Sequence, residues 1–202
     1  MRLDRLLGWP ARWLASMRQN WKSHLGTLLM VLVLYGGIHA WQTRSVPSGP
    51  APNFTAPAAG PQAASGAIDL ASWRATHPGQ AVALHFWADW CPICRTEEHS
   101  VSRINRDWPV LSVAMQSGNA ARVQAVLTKR ELDWHTAIDA DGQIAKRYGL
   151  ASVPALVVID PQGQIRFAGV GYTTEIGMRL RLWWAQNFYA PTPRGSQSTS
   201  QR

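Results

Sequence analysis

Hydrophobic positions follow two regimes along the 202-residue chain. From Leu25 to Trp41 the sequence LGTLLMVLVLYGGIHAW has no Lys, Arg, Asp or Glu, so it reads as one helix without a charged face. At a rise of 1.5 Å per residue it reaches about 26 Å, slightly less than a hydrocarbon core of about 30 Å. From residue 68 onward, short apolar runs alternate with amphipathic ones. Ile68-Asp69-Leu70 with Ser72 and Trp73 predicts a short strand entering a helical turn that stops at Pro78-Gly79. Ala81 to Trp87, apolar apart from His85, predicts a central strand. Cys91 to Arg106 follows as a helix, with Ile93, Val101 and Ile104 near helical spacing and Pro92 in the first turn, where its missing N–H costs nothing. Val110 to Met115 reads as a buried parallel strand. Asn119 caps a helix from Ala120 to about Arg130, with Val123, Val126 and Leu127 on its face. Asp139-Ala140-Asp141-Gly142 turns into a short helix, Gln143 to Tyr148, stopped by Gly149. Ala155 to Ile159 and Gln164 to Val170 form a hairpin across Asp160-Pro161-Gln162-Gly163. Thr174 to Phe188 closes the pattern as an amphipathic helix with Ile176, Leu180, Trp183 and Trp184.

Between the two regimes, Gln42 to Gly66 is rich in Pro, Ala, Gly and Ser, and reads as an extended tether. The expected organisation is a basic segment at 1–24, an apolar anchor at 25–41, a linker at 42–50 with an outer limit at 66, a folded domain at 51–190 and a disordered polar tail at 191–202. Leu3 to Asn20 is read either as an interfacial helix with Trp9 and Trp13 at the membrane surface or as a plain tail.

The net charge of +8 raises nucleic acid as a partner until its position is examined. Residues 1–24 hold five basic side chains (Arg2, Arg5, Arg12, Arg18, Lys22) against Asp4, while residues 51–190 hold 12 basic and 11 acidic ones. The folded part is nearly neutral. The excess precedes the apolar helix, which predicts a cytoplasmic N-terminus, an exported domain and no nucleic-acid partner. A cleaved signal peptide ending near Ile38-His39-Ala40 is the alternative. Either reading places the domain outside the cytoplasm.

The chain has two cysteines, Cys91 and Cys94, spaced Cys-x-x-Cys where the central strand meets its helix. A thiol there faces free N–H groups and the positive end of the helix dipole, which stabilise a thiolate. Such positions lower a thiol pKa from roughly 8.5 to about 3.5–7.5. Cys91 is the candidate nucleophile. Cys94, one turn inside, is the candidate resolving thiol. Half of a zinc site is the competing reading. No second cysteine pair exists, and His24, His39, His77, His85, His99 and His135 are scattered. A nucleotide-binding α/β domain is the competing fold, but no Gly-rich phosphate loop is present.

Phe86-Trp87-Ala88-Asp89-Trp90-Cys91-Pro92-Ile93-Cys94 resembles the thioredoxin active site. The tethered, exported form resembles the TlpA/ResA branch and, within it, the suppressor-of-copper-sensitivity D proteins, over about Ala51 to Phe188. The resemblance implies a thioredoxin fold, a central mixed sheet flanked by helices, with a strand–helix insertion between Asp107 and Gly149. It makes Ala51 to Thr55 the opening strand. It implies a cis Pro154 packed against the disulfide, with the Val153 backbone offered to an extended substrate. Glu97 resembles an acidic residue that tunes the thiols, with a solvated helix charge as the plain alternative. His85 departs from the pattern, which has a buried Asp there, and is read as a proton shuttle or a core side chain. Trp90, Pro92 and Ile93 are expected to contact substrate, and Arg95 to neighbour the thiolate.

The expected function is a periplasmic, membrane-anchored thiol–disulfide oxidoreductase, monomeric and without cofactor or metal. It would reduce disulfides of exported proteins in cytochrome c maturation or copper stress, with a membrane thiol carrier as electron donor. A disulfide-forming oxidant and a Cu(I)-binding protein using the same thiols are the alternatives.

Overall fold

In the computed structural model, residues 21–189 are described. The 1–20 part of the basic segment, with its proposed interfacial helix at Leu3 to Asn20, and the tail at 191–202 lie outside them. The chain divides into two compact units, 1–41 and 42–202. Helix α1 runs from Trp21 to Thr43, all but its last two residues in the first unit, and is longer than the Leu25 to Trp41 expected. Its Trp21–Ile38 window is long and apolar enough to cross a membrane, a test that a signal sequence also passes.

The second unit is built on eight strands: β1 (Gly49–Pro50), β2 (Thr55–Ala59), β3 (Ala67–Asp69), β4 (Val82–Trp87), β5 (Val110–Met115), β6 (Thr136–Asp139), β7 (Ala155–Ile159) and β8 (Gln164–Val170). They lie in the order β1-β8-β7-β4-β5-β6-β2-β3. The β4–β5 and β5–β6 pairs are parallel, and the others are antiparallel. The helices are α2 (Leu70–Ala75), α3 (Pro92–Asp107), α4 (Ala120–Lys129), α5 (Gln143–Arg147) and α6 (Glu175–Phe188).

Every residue of β4 and β5 is buried, as central strands covered on both faces must be. Alternation sorts them. Ala83 and Trp87 of β4 face Val101 and Ile104 of α3, Val123 and Leu127 of α4, and Met178 and Leu182 of α6. Val82, Leu84 and Phe86 face the other way, onto Trp73 of α2, Ile144 of α5, Phe54 and Tyr148. A central mixed sheet with helices on both sides, the cysteine pair at the β4–α3 junction and a closing hairpin and helix make this the thioredoxin fold. The added strand–helix pair is β6 and α5.

Three expectations need correction. Residues 49–59 belong to the sheet and not to a tether: β1 pairs with β8, and β2 joins β3 through Thr55–Pro57 and β6 through Ala58–Ala59. The opening strand expected at Ala51 to Thr55 is therefore not there: β1 precedes it, residues 51–54 carry no strand, and β2 begins at Thr55. Small Ala side chains at 56, 58 and 59 are buried there, a burial too slight to show as a hydrophobic pattern. Ile93 does not belong to the buried stripe of α3, which is Cys94, Glu97, Val101 and Ile104. In α6 the core face is Met178, Leu182 and Ala185. Ile176, Leu180, Trp183 and Trp184 are exposed. Both stripes fit helical spacing, and only the sheet's position selects between them.

Candidate active site

Strand β4 ends at Trp87, and a turn through Asp89 and Trp90 delivers Cys91 to the start of α3, where the Cys91 N–H donates to the Ala88 carbonyl at 3.2 Å. Cys91 is the helix N-cap, extended at φ −86° and ψ 110°, with Pro92 behind it in the first turn. Its sulfur accepts from the Cys94 N–H at 3.2 Å, so a sulfur takes the place of the oxygen that ordinarily caps a helix. Cys91 and Cys94 form a disulfide with Cα atoms 5.3 Å apart. Cys94 is 1% exposed and Cys91 4%.

The surroundings of Cys91 are apolar and open. Trp90 is 55% exposed and Ile93 53%, and Pro92 is exposed. On the opposite side the Val153–Pro154 peptide is cis, as the resemblance implied. The Val153 carbonyl oxygen lies 3.8 Å from Cys91 Sγ. A disulfide sulfur has no proton to give, so this is a contact that becomes a hydrogen bond only in a thiol. Pro154 is buried and Val153 partly so. The structure thus brings Trp90, Cys91, Pro92, Ile93, Val153 and Pro154 to one surface, with Cys94 beneath.

One helical turn after Cys94, Glu97 is buried at 1%, not a solvated helix charge. Its Oε1 accepts the Thr173 backbone N–H. Its Oε2 lies 3.4 Å from His85 Nε2. The contact is an ion-pair distance without hydrogen-bond direction, since neither His85 ring nitrogen has a hydrogen-bond partner. The His85 ring meets Trp134 edge-on at 5.6 Å, and Trp134 meets Trp87 in the same way at 5.7 Å. The structure thus sets a buried carboxylate beside a buried imidazole, one helical turn beyond Cys94.

A third set of residues was not legible in the local sequence. Asp89 N–H donates to Ser117 Oγ at 3.0 Å, and Asp89 Oδ2 accepts from Arg122 at 2.7 and 3.0 Å. Trp90 Nε1 donates to the Gln116 carbonyl at 3.0 Å. Arg130 bridges the Asp89 carbonyl at 3.0 Å and Glu98 Oε1 at 2.6 Å. The turn before Cys91 is therefore strapped to the segment 116–130. Only the placement of α4 beside α3 could have revealed it. Arg95 is exposed.

Among the described residues, no group of three or more His, Cys, Asp or Glu side chains is placed to hold a metal ion. Met115 and Met178 lie in different core clusters, Met178 on the α3 side of the sheet and Met115 on the other, so they do not converge on the thiols. This weighs against the Cu(I)-binding alternative.

The AhpC/TSA family model matches residues 47–168. A thioredoxin-like protein of Haemophilus influenzae is 31% identical over 106 residues, 52% of this chain and 63% of its own length. A thiol:disulfide interchange protein DsbE homolog of Paracoccus denitrificans is 30% identical over 117 residues, 56% of this chain and 64% of its own. The chain thus matches less than two thirds of these two relatives. Among solved structures, a thiol:disulfide interchange protein of the thioredoxin family from Chlorobium tepidum superposes with a TM-score of 0.56 at 18% identity, covering 69% of this chain and 97% of that one. This likeness speaks for the fold alone.

Proposed function

The chain belongs to the AhpC/TSA family, within the thioredoxin-fold superfamily, and from that premise we propose that it is a protein thiol–disulfide oxidoreductase of the DsbE/ResA/TlpA-like kind. The observation that carries the reading is the Cys91–Cys94 disulfide capping α3 beside an exposed apolar rim. In the reduced protein, the Cys91 thiolate attacks one sulfur of a client disulfide. A mixed disulfide forms and the client's other sulfur leaves as a thiolate, which takes a proton from water. The Cys94 thiolate then attacks Cys91 Sγ, restores the disulfide seen here and releases the client's second thiol. Two electrons pass to the client, and a second dithiol must return them.

Roles follow from position. Trp90, Pro92, Ile93 and Val153 receive the client chain, Pro154 shapes the loop opposite Cys91, and Glu97 with His85 handles the proton of the inner thiol. The α1 helix serves as a single membrane anchor, with a cytoplasmic N-terminus and the domain in the periplasm; the basic residues ahead of it support that direction. We place it as a monomer that takes electrons from a membrane thiol carrier and reduces exported proteins, in cytochrome c maturation or copper stress. The narrower likeness to suppressor-of-copper-sensitivity D proteins rests on sequence resemblance.

The test is turnover. Cys91→Ser abolishes dithiol-dependent reduction of a protein disulfide, and undiminished turnover overturns the proposal. Equilibration with glutathione buffers decides direction: a potential near about −270 mV marks a reductant and one near about −120 mV an oxidant. Carbonate extraction of the full chain leaves it in the membrane if α1 is an anchor, and releases it if the segment is cleaved.

A further inference from the structure

Beside the cysteine pair, the first turns of α3 and one face of α4 enclose an open groove of about 580 Å³. Four of its side chains are basic, Arg95, Arg122, Lys129 and Arg130, and two are acidic, Asp89 and Glu98. The acids are already engaged, Asp89 by Arg122 at 2.7 Å and Glu98 by Arg130 at 2.6 Å. No acid of the groove pairs with Arg95 or Lys129, and both are exposed. The groove therefore carries two uncompensated positive charges. Residues 51–190 are close to neutral, with 12 basic and 11 acidic side chains, so this is local concentration and not a share of a general excess. A concave wall of one sign focuses its field on what enters.

The position of the groove says what enters. Trp90, which lines it, directly precedes Cys91, and Arg95 directly follows Cys94. Trp90 belongs both to the groove and to the surface around Cys91, so a client chain that crosses Trp90 on its way to Cys91 brings its flanking residues over the groove. We infer that the groove reads acidic residues flanking the client's disulfide, with carboxylates on Arg95 and Lys129 and an apolar residue against Trp90 and Val126. This deepens the proposed oxidoreductase function and rests on it, naming acidic peptide segments as the substrate class of the same site.

Three cyclic peptides with one disulfide each, identical except for acidic, neutral or basic flanks, are offered to the full chain in detergent micelles with dithiothreitol as reductant. The acidic peptide is reduced with a kcat/KM about tenfold or more above the neutral one at low ionic strength, the basic peptide falls below it, and the ratio collapses near 0.5 M salt, as expected for steering by exposed charge. The double variant Arg95→Glu/Lys129→Glu inverts the ranking, and Arg95→Gln/Lys129→Gln flattens it. Reduction of all three peptides by the wild type at equal, salt-independent rates overturns the groove and leaves the oxidoreductase reading standing. A ranking that survives both double variants also overturns it. If no peptide is reduced, the oxidoreductase reading falls and takes the groove with it.

Discussion

Replacing Glu97 separates the carboxylate's shape from its charge. In Glu97→Ala the Thr173 N–H loses its acceptor. An unpartnered buried donor costs about 1–3 kcal/mol. One buried methylene is lost with the carboxylate, at about 0.8 kcal/mol before any cavity cost. The side chain is almost fully enclosed, so solvent gives little back, and the loss comes to about 2–4 kcal/mol. Glu97→Gln keeps both methylenes, and its amide oxygen can accept the same N–H. The charge assistance of that bond disappears, but so does the cost of enclosing a charged group. The expected change is within about 1 kcal/mol. Urea unfolding of the full oxidised chain in micelles, followed by far-UV circular dichroism, measures both. The reasoning is refuted if both variants cost under about 1 kcal/mol, which would mean that the Thr173 anchor carries no stability. It is equally refuted if both cost about 2–4 kcal/mol, which would make charge the whole effect.

The arginines strapping the Cys91 turn differ in exposure. Arg130 and Glu98 are 17% and 15% exposed, whereas Arg122 is 64% exposed. Arg130→Gln therefore lowers stability by about 2–3 kcal/mol and Arg122→Gln by less than about 1, read as shifts in urea midpoint. In α6, Leu182→Ala costs about 2–5 kcal/mol and Ile176→Ala under about 0.5; comparable costs would show that the inward face is misassigned. Asp69 caps α2, and its carboxyl is held down to about 2, first by the Ser72 backbone N–H and then by the Asn53 and Ser72 side chains. A carboxyl lowered on folding stabilises the protein in full above its unfolded value, near 4, and that contribution drains away as pH falls from about 4 to about 2. The stability advantage over Asp69→Asn, measured by denaturation across that interval, should therefore shrink with acid.

Strong local patterns made much of this molecule legible beforehand. Val82 to Trp87 and Val110 to Met115 announce buried strands because they are apolar apart from His85 and Ser112. Asn119 announces α4 because its side chain accepts the Arg122 N–H. Asp160 and Gly163 announce the hairpin: the Asp160 carboxylate accepts the Gln162 and Gln164 N–H groups at 2.9 Å, and Gly163 takes a φ of +86°. The cysteine pair was visible for a chemical reason, and the Val153–Pro154 geometry came from resemblance alone. What stayed hidden needed tertiary placement. A strand written Thr-Ala-Pro-Ala-Ala has no hydrophobic signature. The outward apolar stripe of α6 is louder than its buried one. Glu97 carried two readings, a thiol-tuning acid by resemblance and a solvated helix charge, until the structure buried it beside His85, and the hold of Arg122 and Arg130 on the Cys91 turn spans 33 and 41 residues.

In the proposed exchange, the placement of Cys91 beside the exposed Trp90 and Ile93 rim and of Cys94 one turn inside α3 divides authority over a captured client. Attachment begins at the rim, where the visitor's own shape and mobility govern how soon it is caught. Detachment is decided underground, by a sulfur that no visitor touches. How long the partners stay joined is then set jointly by this protein's interior and by the acidity of the client thiol that leaves.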